Sequence, residues 1–475
     1  MASVAGLVAG CSVGPDFTGL KPPDTMGYTE EAASERHVRD AKEVEQRLIM
    51  GQKIFGHWWQ LFHAERLNSV LDQAIAGNLS LVAARATLAQ AREATTVAEG
   101  ALYPQLDLNI GANREQLSNS LFGLAGRTPP FNLFTIGPTV SYALDPFGAN
   151  RRRIEEQGAL AEYQDYQLDA AYLTLTGNAV TQALNIAAAR AQIKAVESII
   201  AGDEQNLRLV ESVFRAGEAS QLDVQSAASQ RAADRTLLPP LQQQVSVARH
   251  ALSILLGRAP AEWVPPDFDL EEFTLPEELP VNLPSELVRR RPDILASEAQ
   301  LHAANAGIGV ATAQLYPNIN LNATFTQEAL SASTLFNPAS SVWNVGAELL
   351  APIFHGSELA AQKRAAVDAY DAALATYRQT VLTSFGQVAD VMKALTHDGE
   401  LLEAQRLALE APDASLRLTR TTYQYGNVDV LRVLDAHRLA EQARLGYVRA
   451  QSQRYLDTVQ FLTAMGGGWR NRNEK

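Results

Sequence analysis

Two copies of one pattern run through this chain. Leu102 to Ile110 reads LYPQLDLNI and Leu315 to Leu321 reads LYPNINL, with the Tyr-Pro pairs 213 residues apart (Tyr103 to Tyr316). Further on, Gly217 of FRAG corresponds to Gly426 of YQYG, Ala227 to Ala436, and the LLG ending at Gly257 to the AMG ending at Gly466, each at an offset of 209. A duplication that keeps register over such a distance requires one long supersecondary unit used twice. It favours a pseudo-symmetric architecture over the asymmetric cleft of an enzyme.

Within each copy the apolar period changes. A helix is expected over about 64–99, ending before Gly100. Beyond it the period falls to two: Leu106, Leu108, Ile110 and Ala112 alternate with Asp107, Asn109 and Asn113. In the second copy Ile319, Leu321, Ala323 and Phe325 alternate with Asn320, Asn322, Thr324 and Thr326. That is the pattern of strands with one apolar and one polar face. Return strands are expected over 133–144 and 342–351, so each copy supplies one hairpin, 104–145 and 317–352, of roughly ten-residue strands, the length that crosses a bilayer when tilted.

Very long helices follow. The stretch from Asn150 to Phe214 contains no proline, and about 65 residues at a 1.5 Å rise would reach roughly 100 Å. A turn at Ala216 to Gln221 reverses the chain, and Leu238, Leu241, Val245, Ala248, Leu252 and Leu255 then recur at spacings of three and four, a coiled-coil seam. The second copy repeats this with a helix over 356–423, a turn at Tyr425 to Asp429, and a seam of Leu445, Val448, Tyr455, Val459 and Leu462. Heavy alanine use in these stretches favours helix and close helix approach. Pro239-Pro240 and Pro412 remove helix hydrogen bonds and predict a break or kink at each.

Composition narrows the function. A net charge of −13 argues against a nucleic-acid surface, and the dense basic clusters Arg151 to Arg153 and Arg289 to Arg291 open helices or sit at junctions. The single cysteine, Cys11, excludes an internal disulfide and a cysteine-based zinc site. Val4 to Gly10 is a short apolar, small-residue run ending VAGC. This resembles the lipobox of bacterial lipoproteins, in which the cysteine becomes the lipidated first residue; a free cysteine in an unstructured terminus is the alternative. Met1 to Gly10 has no Lys or Arg and is short for a signal peptide, so the signal is expected to begin upstream. No stretch approaches 18 consecutive apolar residues, so any membrane crossing falls to strands.

No catalytic centre emerges. His57, His63 and His437 lack convincing ligand spacing and read as packed or solvent-facing, so no metal is expected. There is no Walker loop, dinucleotide-binding glycine fingerprint or nucleophile elbow. Trp58 and Trp59 are expected to pack the N-terminal arm against helices, and Tyr and Phe near the strand ends to sit at a bilayer interface.

The domain organisation is therefore a partial signal peptide (1–10), an arm (11–63) with one possible helix near 37–50, a first repeat (64–257) with its tip near 215–221, a linker (258–283), a second repeat (284–468) with its tip near 424–430, and a tail (469–475). Four amphipathic strands cannot close a barrel, since the smallest bacterial outer-membrane barrels use eight and lipid tolerates no open edge. Closure requires several chains, whose helical hairpins would then ring into a tube.

Motifs in order along the whole chain carry a family resemblance: CSVGPDF (11–17), WWQLF (58–62), YALDPFG (142–148), FRAGEASQLDV (214–224), LPPL (238–241), RRRPDI (289–294), LYPNINL, VLDA (433–436) and MGGGW (465–469). The chain resembles TolC-type outer-membrane efflux channels, in particular their OprM/NodT-like lipoprotein branch. The resemblance implies a mixed α/β fold: long coiled-coil helical hairpins plus antiparallel β-hairpins, forming a trimeric 12-stranded outer-membrane β-barrel continued by an α-helical periplasmic tunnel. It implies a homotrimer lipidated on Cys11, with Ser12 favouring transfer to the outer membrane of a Gram-negative bacterium. Its partners would be a periplasmic adaptor (membrane fusion protein) and a proton-driven inner-membrane pump, with no cofactor beyond the lipid.

The same resemblance places a periplasmic gate at Asp429, Arg432, Asp435 and Tyr423, and adaptor-docking tips at Arg215, Gly217, Ser220, Asp223, Tyr425 and Gly426. Arg432 stands where TolC carries a ring aspartate, and a cation there would pair with Asp429 or Asp435. The alternative for these acids is that of solvated helix-end charges. Gly217 and Gly426 suit the backbone of a tight reversal. Three other readings are weighed: a channel for type I protein secretion, which the lipoprotein-like terminus disfavours; a soluble coiled-coil scaffold, which leaves the matched hairpins unexplained; and a periplasmic adaptor, which would carry one helical hairpin.

Overall fold

The computed structural model describes residues 12–467, apart from 24, 26, 30–36, 39–45, 53, 55, 119–122, 124 and 126. Cys11, the VAGC run and residues 468–475 lie outside the described residues. The strands are β1 (His37–Val38), β2 (Gln46–Met50), β3 (Gln105–Glu115), β4 (Phe131–Leu144), β5 (Glu278–Val281), β6 (Asn318–Ala329) and β7 (Ser341–Leu350). The helices are α1 (Glu65–Gly77), α2 (Leu79–Gly100), α3 (Ala149–Arg215), α4 (Gln221–Arg235), α5 (Leu238–Leu255), α6 (Pro284–Leu287), α7 (Pro292–Ala313), α8 (Glu358–Gln424) and α9 (Val430–Ala464). The repeat is visible in these bounds. Strands β3 and β6 begin 213 residues apart (105 to 318), and the 67-residue helices α3 and α8 begin and end 209 apart (149 to 358, 215 to 424). The loop after β3 spans 116–130 and that after β6 spans 330–340, and this four-residue difference accounts for the change of offset.

The chain forms two compact units. One gathers the residues up to Leu20, Thr87–Gln164 and Ser297–Tyr377. Its centre is a four-stranded antiparallel sheet in the order β3-β4-β6-β7. Register assigns the faces: Leu106 lies opposite Val140, Ile110 opposite Ile136, Tyr142 opposite Leu321, Ala323 opposite Val345 and Phe325 opposite Trp343. All of these share one apolar face. Asp107 opposite Thr139, Asn322 opposite Gly346 and Asn320 opposite Glu348 share the other, where Asn109 Nδ2 donates to Thr139 Oγ1 at 2.9 Å. None of the described residues covers the apolar face: Leu106 is 71% exposed, Ile110 73%, Trp343 72% and Val345 71%.

The other unit gathers Lys21–Ala86, Asp165–Ala296 and the residues from Arg378 onward. Its apolar core includes Trp58, Trp59 and Phe62, all buried in a short 3-10 helix, and Phe62 meets Phe273 edge to face. The helix expected near 37–50 is replaced by β1 and β2. Strand β2 pairs in parallel with β5, Arg47 opposite Glu278 and Met50 opposite Val281, inside what the sequence suggested was a linker. Residues with good helix propensity adopt strand there because β5 offers a ladder and the buried Gln46 amide donates to the Pro276 carbonyl at 3.0 Å.

The single helix expected over 64–99 is two. Asn78 is extended (ψ 121°), its Oδ1 accepts from Leu81 N at 3.0 Å, and its Nδ2 donates to Leu255 O at 2.8 Å, so one side chain caps α2 and ties the break to α5. The Pro239-Pro240 break is present between α4 and α5, with the prolines in the first turn of α5 where missing N–H groups need no helical partner. At Pro412 the expected interruption does not occur as a break: α8 continues through it. Arg444 of α9 bridges to the adjacent Asp413 at 3.0 Å, holding α8 against α9 beside the proline.

Along the α8–α9 contact, the fully buried Arg454 donates to the Leu395 carbonyl, and Tyr455 Oη donates to Phe273 O at 3.0 Å. Burial first, and then a hydrogen bond shared with Asp398, push the Asp457 carboxyl up to about 7. A carboxyl held above its ordinary value keeps its proton in the folded chain where the unfolded chain has released it. Its contribution to stability is full below about pH 4 and is lost as pH rises through about 7. Thermal unfolding of wild type at about pH 5 and pH 8 should show lower stability at the higher pH, and Asp457→Asn should reduce that difference.

Candidate functional sites: the helical tips and the lipid-facing sheet

Both helical hairpins reverse through the same local chemistry. At the end of α3, Gly217 N donates to Phe214 O at 2.9 Å and Glu218 N to Val213 O at 3.1 Å. At the end of α8, Gly426 N donates to Tyr423 O at 2.9 Å and Asn427 N to Thr422 O at 3.1 Å. These paired bonds form a left-handed helix terminator, and φ is +81° at Gly217 and +73° at Gly426, a region that glycine enters without a Cβ clash.

Each reversal then enters the next helix through a cap. Ser220 Oγ accepts from Asp223 N at 3.3 Å while Ser220 N donates to Asp223 Oδ2 at 2.7 Å, a complete capping box. Ser220 Oγ also donates to Asp223 Oδ2 at 2.7 Å, and the hydrogen bonds from the Ser220 backbone and hydroxyl hold the Asp223 carboxyl below its ordinary range. At the equivalent place Asp429 caps α9, its Oδ1 accepting from Arg432 N at 3.0 Å. Residue 432, the counterpart of Asp223, is a cation and cannot return the bond.

The expected site residues thus have defined surroundings. Asp429 and Arg432 are exposed and meet through the Arg432 backbone. The expected side-chain pairing of Arg432 with Asp429 or Asp435 is not formed; Asp435 pairs instead with Arg438, one helical turn on, at 2.8 Å. Tyr423 is half-buried against Leu207, Val210, Ala227 and Val430. Arg215 is exposed and its Nε donates to Glu211 O at 3.3 Å. Tyr425 is 78% exposed, with Phe214, Leu222 and Leu431 also exposed around the tips.

At the foot of β4 the buried Arg152 holds the segment that follows Cys11. Its Nε donates to Val13 O at 3.2 Å, one terminal nitrogen to Gly14 O at 3.3 Å and to Asp16 at 2.6 Å, and the other to Glu155 at 2.7 Å. Phe17 stacks on His302 at 4.5 Å, and Val13 N donates to Phe147 O at 3.0 Å. Tyr316 of LYPNINL stacks on the same Phe147 at 4.7 Å. The RRRPDI cluster serves similarly: Arg291 binds Asp293 at 2.7 Å, Gln387 Oε1 at 2.8 Å and Ala464 O at 3.0 Å. Both arginine clusters are fasteners between distant segments.

One grouping escapes sequence reasoning. Asp203 of α3 and His437 and Glu441 of α9 are buried together, with a ligand atom from each lying within 4.8 Å of the others. The His437-to-Glu441 spacing of four residues, one helical face, was the available signal; Asp203 comes from the other repeat. The sequence reading set His437 beside Asp435 and passed over Glu441, one turn further along the same helix.

The chain thus combines duplicated helical tips with a sheet exposed on its apolar face, and no described helix is long and apolar enough to cross a bilayer. The chain belongs to the outer membrane efflux protein family, whose model matches residues 70–258 and 283–467. It is 30% identical over 468 residues to the pyoverdine export outer membrane protein OpmQ of Pseudomonas aeruginosa, covering 97% of this chain and 94% of that protein. It is 27% identical to the cation efflux system protein CusC of Escherichia coli K12, covering 98% of each. Its fold matches the solved outer-membrane channel OprN with a TM-score of 0.87 and 28% identity over 97% of this chain and 100% of that one.

The Asp429 cap separates structure from charge. Asp429→Ala should loosen the first turn of α9 by about 1 kcal/mol, and Asp429→Ser, which keeps a capping oxygen, by only a few tenths of that. Amide hydrogen exchange at Leu431 to Val433 reads the difference.

Proposed function

We propose that the chain is the exit duct of a tripartite efflux system, a homotrimer that carries small molecules across the outer membrane from an inner-membrane, proton-driven pump and a periplasmic adaptor. The observation that carries this reading is the sheet β3-β4-β6-β7, apolar and exposed on one face, polar on the other, with β3 and β7 as its outer strands. Open edges are not tolerated in lipid, so β7 of one copy pairs with β3 of the next, and three copies close a 12-stranded barrel. The polar face lines the passage, and the helical hairpins continue it as an α-helical tunnel projecting into the periplasm. The names of OpmQ, CusC and the toluene efflux pump protein TtgI of Pseudomonas putida support small molecules as the cargo class.

Cys11 carries the lipid in this reading. Support comes from Arg152, which holds Val13 to Asp16 beside the end of β4, where a lipid one residue before Ser12 would reach the membrane surface. Asp429 and its copies ring the gate at the tips, with Asp435, Arg438 and Arg432 setting the local field, while Tyr425 and the exposed leucines meet the adaptor.

Planar-bilayer conductance of the detergent-extracted protein tests the duct and its gate together. Wild type should give small cation-selective openings, and Asp429→Ser, which removes the charge and keeps the cap, should lose selectivity. Unchanged selectivity would move the gate to other residues, whereas a chain that never inserts would overturn the duct. Mass spectrometry of the membrane-extracted protein should show a lipid on wild type that Cys11→Ala lacks.

A further inference from the structure

The buried cluster between α3 and α9 has no part in conduction as described above. Asp203, His437 and Glu441 are 4%, 6% and 8% exposed. His437 Nε2 faces Glu441 Oε1 in close contact and Asp203 Oδ1 at 3.8 Å. Nε2 and Glu441 Oε1 thus form an ion pair and Asp203 shares a hydrogen bond with Asp234, whereas His437 Nδ1 has no hydrogen-bond partner among the described residues. A desolvated polar atom left in this state costs about 1–3 kcal/mol unless something binds it.

We propose that Asp203, His437 and Glu441 bind a divalent transition-metal ion of zinc-like preference, which fastens α3 of the first repeat to α9 of the second. The donor set is one imidazole nitrogen and two carboxylate oxygens. Imidazole disfavours Mg²⁺ and Ca²⁺, the absence of sulfur ligands disfavours Cu⁺, and a mixed N/O set with a water completing four-coordination suits Zn²⁺. His437 Nε2 and Asp203 Oδ1 are 3.8 Å apart, against about 3.4 Å between ligands in a tetrahedral zinc site; Glu441 Oε1 stands closer to Nε2 than two ligands of one ion can, so its carboxylate must swing away from the ring as the ion enters.

The surroundings agree. Room for the imidazole exists because residue 202 is glycine: a Cβ there would lie 2.5 Å from both Cε1 and Nε2 of His437. Glycine inside a helix costs about 1 kcal/mol relative to alanine, so its presence in α3 has a local reason. A cavity of about 230 Å³, bordered by Asp203, Asn206, Gln230 and His437, leaves space for a water ligand. Of the neighbouring charges, Arg231 acts on Asp203, Arg444 on Glu441, and Asp234 on both.

The test uses tag-free, full-length protein in detergent, stripped with chelator and titrated calorimetrically with ZnCl₂, with MgCl₂ as control. Wild type should bind one Zn²⁺ per chain, raise its unfolding temperature and ignore Mg²⁺. His437→Ala should weaken binding by about 100-fold or more, beyond what losing even a supporting residue of a metal site costs. The near-isosteric Glu441→Gln should weaken it by at least about 10-fold, and circular dichroism would confirm that each variant is folded. Equal zinc uptake by wild type and both variants would overturn the proposal. So would no uptake by wild type, which would leave the cluster as a proton-sharing triad.

Discussion

Backbone hydrogen bonding in a medium without water is the constraint on which the rest of this structure depends. In lipid an unpaired N–H or C=O costs several kcal/mol, so a strand that crosses must be paired on both sides. Among the described residues the sheet has four strands, and internal pairing satisfies both sides of the inner pair alone, β4 and β6. The alternation that makes one face apolar, from Leu106 on β3 to Val345 on β7, therefore forces association as firmly as any buried interface. The oligomer is the smallest object in which the backbone is complete.

The legible features were those with a strong local period. The strand alternation, the two equal helices and the reversals at Gly217 and Gly426 could be placed within a few residues, because each depends on residues close in sequence. Features set by distant partners could not. Asn78 breaks a helix by reaching Leu255, β2 is a strand because β5 lies beside it, and α8 passes through Pro412 with α9 bridged to the next residue. The same division holds at the site. The position of Asp429 in its turn was evident, but its service as the cap of α9 was not, and Asp203 meets His437 only after two separate helices pack.

The arginine clusters show how composition misleads when read alone. Arg151 to Arg153 and Arg289 to Arg291 look like surface charge, yet Arg152 and Arg291 are both at least nine-tenths buried, and each joins a nearby carboxylate, Glu155 or Asp293, to partners more than 90 residues away in sequence, Asp16 for Arg152 and Gln387 and Ala464 for Arg291. Arginine suits this role because its five donors can satisfy several acceptors at once. What these residues contribute is the fixing of irregular segments onto helices, where no periodic pattern would hold them.

The two tips share their backbone hydrogen bonds and differ in side chains: Asp223 closes one capping box and Arg432 occupies the matching place in the other. In a ring of six identical hairpins any substitution would appear six times, and a charge change would alter every position together. Fusing two hairpins into one gene separates them into alternating sets of three, each free to drift without the other. Duplication followed by fusion thus doubles the number of independently adjustable positions around the ring, so that one set can keep the reversal sound while its neighbour changes its charge.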